Sequence, residues 1–358
     1  MTTFALSPVQ PEAQRASAAR STMPLPVSSI ISLFCGAGGL DVGFTKAGFK
    51  VLLAFDNSQA AVNSYNLNAK KAVARVADLS DDGDASFRKL VRESLGTTQI
   101  QGIIGGPPCQ GFSRGNASAD PNDPRNKLAF RYADILRALN TKNKIKFFVF
   151  ENVMGLTTVR HMVRFRAIRQ SFMDAGFRIF YHDLDAQDFG VPQFRRRLFI
   201  VGLNAKRLPK ADFSFPIGTA KRRTVKDAIQ GLPQPAFFDR NIQPGDIPHH
   251  PNHWTMKPRS AKLILSAGAS DGRSFRQLDW NEVSPTVAYG NREIHVHPDG
   301  GRRLSVHEAM LLQGFPPTYK LAGNFSQQIT QVSNAVPPPV AQAIARSIKQ
   351  LLRDWGEL

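Results

Sequence analysis

The sequence predicts an α/β fold in which a mostly parallel sheet is covered by helices on both faces. Two observations support this prediction. From residue 30 onward, short apolar runs alternate with amphipathic stretches, and strands that alternate with helices pair in parallel. The chain also has 358 residues, of which 42% are hydrophobic, and this is enough for a sizeable core in about two domains.

The strand candidates are short apolar runs bounded by polar or glycine-rich segments. In chain order they read IISLF, VLLAF, IQGII, KFFVF and RRLFIVG. Helical periodicity is found in LDVGFTKAG, at about residues 59–66, and in LAFRYADILRAL and VRFRAIRQSFMDAG. A last helix is predicted in VPPPVAQAIARSIKQLLRDW, where proline opens the first turn. Ligands of such sheets bind at the carboxyl ends of the strands, so the loops after the apolar runs are the expected site.

The composition and periodicity of the chain divide it into three parts. Residues 1–28 have no apolar segment of the kind found in signal peptides and are predicted to be a disordered extension. Residues 29–207 and 325–358 form the α/β domain. Residues 208–324, rich in Pro, Gly, His and Asn, are predicted to form a smaller irregular domain. No run of about 18 apolar residues indicates a membrane span.

The net charge of +18 at pH 7 indicates a polyanionic partner. Lys and Arg cluster in QFRRRL, AKRRTVK and GRRL, so nucleic acid is favoured over the alternative that the charge only maintains solubility. Charge alone does not separate DNA from RNA. The only two cysteines, Cys35 and Cys109, form no disulfide framework, which fits a reducing cytoplasm.

The first two strands are followed by features of a nucleotide site. In FCGAGGLDVGF, Gly36 and Gly38 match the start of a dinucleotide fingerprint, but Asp41 stands where its third glycine should be. Asp56 ends the second strand, where it could accept both hydroxyls of a ribose, and Asp78 follows a third run, where it could accept from an adenine amino group. One strand-end aspartate is commonly a helix cap. Three such loops in order favour an adenosine ligand with a distal carboxylate, such as S-adenosylmethionine.

Cys109 follows an apolar run and a stiff Gly-Gly-Pro-Pro turn in GIIGGPPCQGFSRGN. A free cysteine is commonly a small buried hydrophobic residue, but this one is predicted to lie at the rim where ligands bind. An unperturbed thiol is only about a few per cent thiolate at pH 7, so a nucleophilic role needs positive surroundings. The position favours a chemical role without settling it.

Two later motifs could supply such surroundings. Glu151 ends the apolar run in VFENV, at the same rim, and a partly desolvated carboxylic acid can keep its proton near neutral pH. If QFRRRLF is extended, Arg195 and Arg197 share one face and Arg196 points away. Two arginines on one face can bind a phosphate and orient Glu151. The alternative is a solvated edge.

Together these motifs resemble those of the cytosine-5 DNA methyltransferases. The matching segments, in the motif order of that family, are SLFCGAGG, GGPPCQGFS, ENV, QFRRR, RRLSVHEAMLLQGFP and QVSNAV, and they run from about Ile30 to Ile348. The resemblance implies that the α/β domain is a Rossmann-like methyltransferase domain and that residues 208–324 are a target-recognition domain. It also implies S-adenosyl-L-methionine as the methyl donor and double-stranded DNA as the substrate.

By the same resemblance, the Cys109 thiolate adds to carbon 6 of a cytosine, which makes carbon 5 nucleophilic toward the methyl group. Glu151 contacts ring nitrogen 3 and the exocyclic amine, while Arg195 and Arg197 steady the base and its phosphate. The cytosine must flip out of the duplex, at a cost of roughly a few kcal/mol. The stiff Pro-Pro arm would hold the sulfur for attack on the face of the ring.

The resemblance also assigns a cofactor pocket. Its residues are Phe34, Ala37, Gly38, Gly39, Asp56, Asp78, Pro108, Leu128, Asn334 and Ala335. Ser32, Ser333 and the Asp56-Asn57 pair depart from the residues common in the family, and these departures could weaken the fit of the cofactor. Cys35 matches a position that tolerates small residues and is interpreted as packing.

The segment of about residues 208–297 corresponds to the variable region that selects the DNA sequence in this family. The candidates for DNA contact, which include two residues next to the Cys109 motif, are Ser113, Arg114, His253, Trp254, Lys257, Arg259, Arg273 and Arg276. Arginine to guanine is the commonest specific base contact, but phosphate anchoring is an equal alternative for each residue. His295 and His297 would share a strand face, and a metal pair there is the less favoured interpretation because the chemistry needs no metal.

The leading hypothesis is a DNA cytosine-5 methyltransferase that modifies a defined short target. We expect a cytoplasmic monomer, associated with the nucleoid if the source is bacterial, with a cognate restriction endonuclease as a partner and no metal. Three alternatives stay open: an RNA cytosine-5 methyltransferase with the same residues, a non-catalytic sequence-specific DNA-binding protein, and a nucleotide-dependent oxidoreductase. Intact Cys109 and Glu151 disfavour the second, and the glycine spacing disfavours the third.

Overall fold

The computed structural model describes most of the chain. The described residues are 28–80, 84–96, 98–108, 127–143, 145–218, 220–258, 276–289 and 293–358. The predicted N-terminal extension therefore lies outside them, apart from Ser28. Among the described helices, none combines the length and the apolar character that crossing a bilayer requires.

A seven-stranded sheet forms the centre of the molecule, with the strand order β3-β2-β1-β4-β5-β7-β6. Its strands are β1 (Ser29–Leu33), β2 (Lys50–Asp56), β3 (Ala74–Val76), β4 (Gly102–Gly105), β5 (Phe147–Asn152), β6 (Phe177–Asp185) and β7 (Arg196–Asn204). β7 is antiparallel to β5 and β6, and the other strand pairs are parallel. The structure confirms the predicted α/β class with a mostly parallel sheet.

The order of the strands places the site. From β1 the chain continues to β2 and β3 on one side of the sheet, and to β4 and β5 on the other. This reversal between β1 and β4 is a topological switch point, and ligands bind in the crevice at the carboxyl ends of the strands that flank it. Because β7 is antiparallel, its amino end lies at the same edge of the sheet as the carboxyl end of β5.

Helices cover both faces of the sheet, as the alternation of strands and helices predicts. They are α1 (Gly39–Lys46), α2 (Gln59–Asn68), α3 (Asp84–Leu95), α4 (Leu128–Asn143), α5 (Met162–Asp174) and α9 (Pro338–Asp354). Ile30, Val149 and Val201 point to the face covered by α1 and α9. Leu33 and Phe150 point to the opposite face, which is covered by α3, α4 and α5. Each buried strand therefore contributes alternate residues to two cores.

A third core joins the irregular region to the rest of the molecule. Its elements are α6 (Val225–Ile229), β8 (Ala236–Phe237), β9 (Trp254–Thr255), β10 (Ala288–Tyr289), β11 (Glu293–Ile294), α7 (Val306–Leu312) and α8 (Phe325–Asn334). β8 pairs with β9 and β10 with β11. This core includes Ala37 from the loop after β1, Leu304 before α7 and Ile329 from α8. It thus extends across the boundary predicted at residue 324, and the division into two domains stays a prediction.

α7 is anchored by a buried ion pair. The Ser305 side chain accepts from the backbone N–H of Glu308, and the Glu308 carboxylate accepts from the backbone N–H of Ser305, which makes a capping box. The same carboxylate takes two hydrogen bonds of 2.9 Å from the Arg302 guanidinium. Both side chains are buried, so this part of the RRLSVHEAM motif orders the start of α7.

Candidate active site

The loop after β1 has an unusual backbone. Phe34 has a φ of 53°, Gly36 of 52° and Gly38 of 83°. A positive φ is uncommon for a residue other than glycine, and such conformations cluster at ligand sites. Nothing lies within 4 Å of the position that a β-carbon on Gly36 would occupy. The loop therefore presents bare backbone to an open space at the switch point.

Two tyrosines hold this loop from behind. Tyr319 donates to the carbonyl of Ala37, and the ring of Tyr65 lies 2.9 Å from the position of a β-carbon on Gly38. Tyr65 also donates to Asp41 over 3.0 Å. The loop is thus fixed between α2 and the segment before α8.

Asp41 is a buried carboxylic acid inside the fold. One oxygen accepts from Tyr65, and the other accepts from Ser32 over 3.0 Å. Burial raises the pKa of Asp41 to about 6, although both hydrogen bonds oppose the rise. The hydroxyl of Ser32, one of the departures noted from the sequence, thus has an internal partner. The sequence indicated Asp41 only as a departure from the dinucleotide pattern.

Asp56 is fixed at the end of β2. One oxygen accepts from the backbone N–H of Gly36 over 2.8 Å, and the other accepts from that of Ser58 over 3.0 Å. Burial raises the pKa of its carboxyl group against these two bonds. The carboxylate lies beside the open space at Gly36, which is where the sequence places a group that accepts ribose hydroxyls.

Asp78 lies at the same edge of the sheet, since the backbone N–H of Ala77 donates to the carbonyl of Asp56. It is exposed, and one oxygen accepts from the backbone and hydroxyl of Ser80 over 2.8 and 2.6 Å. These bonds hold the pKa of Asp78 below its usual value. The arrangement brings the two predicted cofactor aspartates together, and the local turn at Ser80 fits a capping role equally.

Of the remaining predicted cofactor residues, Gly39 and Ala335 are packed together. A β-carbon on Gly39 would collide with the carbonyl of Val336 and would lie 3.3 Å from the side chain of Ala335. Asn334, next in the chain, is exposed. The buried Leu128 begins α4, and the exposed Pro108 ends the described part of its segment. The described part of this edge thus combines the Asp56 and Asp78 carboxylates with the open space at Gly36.

Glu151 ends β5, next to the end of β4. It is 8% exposed, and a β-carbon on Gly106 would lie 2.9 Å from its Oε2. The Nε of Arg197 lies 3.3 Å from its Oε1. Burial raises the pKa of Glu151, and the positive charges of Arg197 and Arg195 lower it, but burial is the larger effect. This environment favours a carboxyl group that can hold a proton.

Arg195 has hydrogen-bond donors without a partner among the described residues. Its Nη2 donates to the carbonyl of Ser333 over 2.9 Å, whereas its Nε and Nη1 are buried without a hydrogen-bond partner among the described residues. Burial lowers the pKa of Arg195, the neighbouring Arg197 lowers it further, and Glu151 raises it. A buried cation with unpaired donors beside an acid is arranged to receive a polar ligand.

The alternation predicted in QFRRRLF is confirmed. Arg195 is buried and Arg197 pairs with Glu151, while Arg196 between them is exposed. The segment after β4 is linked to the end of β5, because the Asn152 side chain donates to the carbonyl of Pro107 over 3.4 Å. Cys109 lies outside the described residues, because this described range ends at Pro108, the second residue of the Pro-Pro arm.

A comparison with protein families decides the identity. Residues 28–350 match the family model of the C-5 cytosine-specific DNA methylases. The chain belongs to this family. It is a DNA cytosine-5 methyltransferase, and the acid with its two arginines at the sheet edge is its candidate active site.

Individual relatives agree with this assignment. The methylase is 34% identical over 350 residues to the type II methyltransferase M.MthTI of Methanothermobacter thermautotrophicus, which covers 90% of this chain and 97% of that protein. It is 31% identical over 349 residues to the type II methyltransferase M.FnuDI of Fusobacterium nucleatum, covering 91% and 95%. A solved DNA modification methyltransferase from an E. coli prophage shares the fold, with a TM-score of 0.71 and 24% identity over 91% of this chain and 99% of that one.

The candidate DNA-reading residues of the methylase separate into groups. Lys257 and Arg276 are exposed. Ser113, Arg114, Arg259 and Arg273 lie outside the described residues. The exposed pair is available to a DNA molecule, and its role stays a prediction.

His253 and Trp254 face the interior instead of the surface. His253 is fully buried, with Nε2 2.7 Å from the carbonyl of Pro233 and Nδ1 3.0 Å from the hydroxyl of Ser305. Trp254 is buried and donates to Gln328 over 2.8 Å. In this geometry both side chains support the third core, so neither offers the DNA contact expected of it. Their residue types suggested a surface role, but composition does not report burial.

The structure also places Cys35 and His295, for which the sequence suggested packing and a metal pair. Cys35 packs with Ala54, Val62 and Tyr65, as the packing interpretation predicts. His295 lies 2.8 Å from the carbonyl of Thr286 instead of sharing a ligand with His297. Within the described ranges, no group of three or more His, Cys, Asp and Glu side chains is arranged to hold a metal ion.

Two buried glutamines near Arg195 were not predicted to be functional. Gln193 donates to the side-chain carbonyl of Gln313 over 2.7 Å. Gln313 in turn donates to the carbonyl of Ala335 over 2.6 Å. The spacing of Gln193 two residues before Arg195 in QFRRR could have indicated a shared face, but no sequence signal links either glutamine to residue 335.

Proposed function

We propose that this methylase uses S-adenosyl-L-methionine to methylate carbon 5 of a flipped cytosine within a short specific sequence of duplex DNA, through a covalent bond between Cys109 and carbon 6. The observation that carries this proposal is the group formed by Glu151, Arg195 and Arg197. It joins a shielded acid to an arginine with unpaired donors, next to a glycine loop with an open space.

The residues around that loop suit S-adenosyl-L-methionine. The Asp56 carboxylate is fixed beside Gly36 and would accept the ribose hydroxyls, and Asp78 would accept from the adenine amino group. Asn334 and Ala335 close the opposite side. When bound, the cofactor supplies a methyl group activated by a positively charged sulfur.

The chain's own groups then account for the reaction. The Cys109 thiolate forms a bond to carbon 6 of cytosine, and the electron pair of the ring double bond moves so that carbon 5 becomes nucleophilic. Glu151 holds a proton at ring nitrogen 3 and so neutralises the charge that develops there. Carbon 5 gains the methyl group and loses its proton to a base, and the bond between carbon 6 and sulfur breaks to release the enzyme.

Arg195 and Arg197 have separate tasks in this scheme. Arg197, which pairs with Glu151, holds the acid in place. The unpaired Nε and Nη1 of Arg195 would bind the flipped base or its phosphate. Because these groups are buried before the base enters, little reorganisation is needed when charge develops.

The biological setting proposed is restriction and modification. Two relatives that are more than 30% identical are both type II methyltransferases by name. A net charge of +18 also favours a polyanionic substrate. We therefore propose that the protein protects a defined DNA site, as a monomer, against a cognate restriction endonuclease.

The test uses the purified full chain, radiolabelled S-adenosyl-L-methionine, unmethylated plasmid DNA and unmethylated tRNA. We expect label in the plasmid and none in the tRNA, and bisulfite sequencing should place every methyl group within one short sequence. Label in the tRNA alone would support the RNA alternative and overturn the proposal. Cys109→Ser should abolish transfer while it leaves plasmid binding intact, and residual turnover in that variant would contradict the nucleophilic role.

A covalent trap provides a separate test of the chemical step. A duplex that carries 5-fluorocytosine at the identified target cannot lose a proton from carbon 5, so the bond to the enzyme should persist when the cofactor is present. We expect a stable protein–DNA complex linked through residue 109. Its absence in the wild type would refute the covalent mechanism without affecting the family assignment.

A further inference from the structure

The carboxyl end of α8 is held by side chains from two other parts of the chain, the arginine segment and the residue that follows α7. The carbonyls of Ser333 and Ala335 accept hydrogen bonds from Arg195 and Gln313 over 2.9 and 2.6 Å. The last carbonyls of a helix lack partners within the helix, and a cation there is favoured by the helix dipole. Between the two held carbonyls lies Asn334, which is exposed and is proposed to bind the cofactor.

The second hydrogen bond returns to the arginine segment. Gln313 accepts from Gln193 over 2.7 Å, and Gln193 and Arg195 are alternate residues of one extended segment. Phe194 between them is 50% exposed, and its backbone N–H donates to the carbonyl of Ser284 over 2.7 Å. The buried side chains on either side of it therefore point the same way, toward the end of α8.

Arg195 links its own segment directly to the cofactor loop through Ser333. Gln313 provides a second link from the end of α7, because its side chain is hydrogen-bonded to both Gln193 and Ala335. It is fully buried, so water cannot replace either bond. We propose that Gln313 is a positioning residue that sets the cofactor loop at residues 333–335 and the Arg195 segment in one fixed relation. This inference rests on the proposed function, since it assigns the two ends of the bridge to the cofactor and to the target base.

The bridge has a specific consequence for the reaction. If the Gln313 bonds are lost, the bond from Arg195 to Ser333 and a longer bond of 3.5 Å from Gln193 to the carbonyl of Leu312 remain. Ala335 then gains freedom relative to the bound cofactor, and the Gln193 segment gains freedom relative to the target base. Both cofactor affinity and turnover should then fall. Loss of Gln193 alone frees only the arginine end, because the bond from Gln313 to Ala335 stays in place. Turnover should then fall with little change in cofactor affinity.

The experiment compares Gln313→Met, Gln193→Met and Gln328→Met with the wild type. Methionine keeps a similar length but makes neither hydrogen bond. Gln328 is the matched control, since it is also buried, accepts from Trp254, donates to the carbonyl of Gly323 over 2.9 Å, and touches neither end of the bridge. Two quantities are measured below the melting temperature of each variant: the Kd for S-adenosylhomocysteine by calorimetry without DNA, and kcat on plasmid DNA.

We expect Gln313→Met to raise that Kd and to lower kcat, each about ten-fold, the size expected when one buried hydrogen bond is lost. Gln193→Met should lower kcat about ten-fold and leave the Kd within about two-fold. Gln328→Met should lower the melting temperature without changing either quantity. If Gln313→Met matches the wild type in both quantities, or if Gln328→Met reproduces its defects, the proposal is overturned.

The calorimetric arm separates this inference from the proposed function. If the wild type binds S-adenosylhomocysteine but transfers no methyl group to DNA, the proposed function fails, and the Kd of the variants still tests the cofactor end of the bridge. If Gln313→Met does not fold, Gln313→His, which retains a donor, replaces it. The Gln193→Met variant then tests the arginine end of the bridge by itself. If both its Kd and its kcat equal those of the wild type, the arginine end is refuted. A wild type that binds no S-adenosylhomocysteine overturns both proposals.

Discussion

Gly106 leaves the space beside the Glu151 carboxyl free of any side chain: a β-carbon on Gly106 would lie 2.9 Å from the Oε2 atom of Glu151. The end of β4 therefore determines where the acid at the end of β5 sits. The end of β4 also carries the Pro-Pro arm that leads to the proposed nucleophile. Two neighbouring strands therefore end in the acid and in the arm that leads toward residue 109.

Gly106→Ala should lower kcat because the added methyl group displaces the Glu151 carboxyl. A displacement of about 1 Å in an active site can cost roughly 100-fold in rate, and we expect a loss between about ten-fold and 100-fold. The measurement is methyl transfer to plasmid DNA. Gly245→Ala is the control, since nothing lies within 4 Å of its added carbon. Equal rates for the two variants would show that Gly106 does not position the acid.

Glu151→Gln should slow transfer much more than it weakens cofactor binding. The amide can still form hydrogen bonds but cannot hold and release a proton, and general acid catalysis contributes about 100-fold or more to a rate. We expect kcat to fall by at least about 100-fold and the Kd for S-adenosylhomocysteine to stay within about two-fold. A larger effect on the Kd than on kcat would place Glu151 in the cofactor pocket instead.

Asp41→Asn should stabilise the protein at alkaline pH. Burial raises the pKa of Asp41 from 3.8 to about 6 in the folded state, so the unfolded chain loses this proton first. The free energy of unfolding therefore decreases as pH rises from about 4 to 6 and stays reduced above that, by roughly 3 kcal/mol. Asparagine removes this charge penalty, provided that the hydroxyl of Ser32 or Tyr65 rotates to accept from the amide nitrogen.

The gain from Asp41→Asn should accordingly be larger at pH 8 than at pH 5, by roughly 1.5 kcal/mol. Urea unfolding at the two pH values measures it, with the exposed Asp212→Asn as the control. A gain that is the same at both pH values would mean that Asp41 does not titrate in this range. A loss at pH 8 would mean that its hydrogen bonds to Ser32 and Tyr65 require the charge.

Glu308→Gln should destabilise the region around α7 strongly. The change leaves the buried Arg302 guanidinium without a charged partner, and removal of one member of a buried pair costs about 3–5 kcal/mol. Asp134→Asn is the matched control, because it breaks a 2.9 Å pair with Arg137 in which both side chains are about half exposed, and such pairs contribute about 0–1 kcal/mol. Thermal unfolding of both variants checks the difference, and similar losses would contradict the importance of burial.

DNA binding should weaken steeply with salt. A chain with a net charge of +18 that neutralises phosphates releases counterions, so log K should fall against log salt with a slope of about −0.9 per contacted phosphate. Fluorescence anisotropy with a labelled duplex, measured between about 50 and about 300 mM salt, gives the slope. A flat response would argue against a surface that follows the DNA backbone.

The sequence predicted those strands and helices in which apolar and polar residues alternate with a clear period. Buried strands such as β5, and amphipathic helices such as α9, have patterns set by the faces they pack. β6 was not predicted, because it is an edge strand in which His182 and Tyr181 are both exposed, so its residues do not alternate between apolar and polar. Its pairing with β7 over nine residues is a tertiary interaction.

The candidate site was predictable where chemistry and spacing coincide. The two-residue spacing of Arg195 and Arg197 predicted a shared face, and the strand-end position predicted the place of Asp56. The roles of Gln313 and of the buried Trp254 were not predictable, because each depends on a partner far along the chain, Ala335 or Gln328. Polar residues with a structural function and polar residues with a catalytic function look alike in one sequence.

The packing of α1 against α9 sets the order in which activity can arise during synthesis. Lys349 of α9 donates to the carbonyl of Ala47, 302 positions earlier, and the segment just before α9 lies directly against Gly39. A nascent chain on the ribosome therefore displays the glycine loop long before the wall of the pocket exists. A chain that ends before residue 335 would lack this wall, and we expect it to bind no methyl donor.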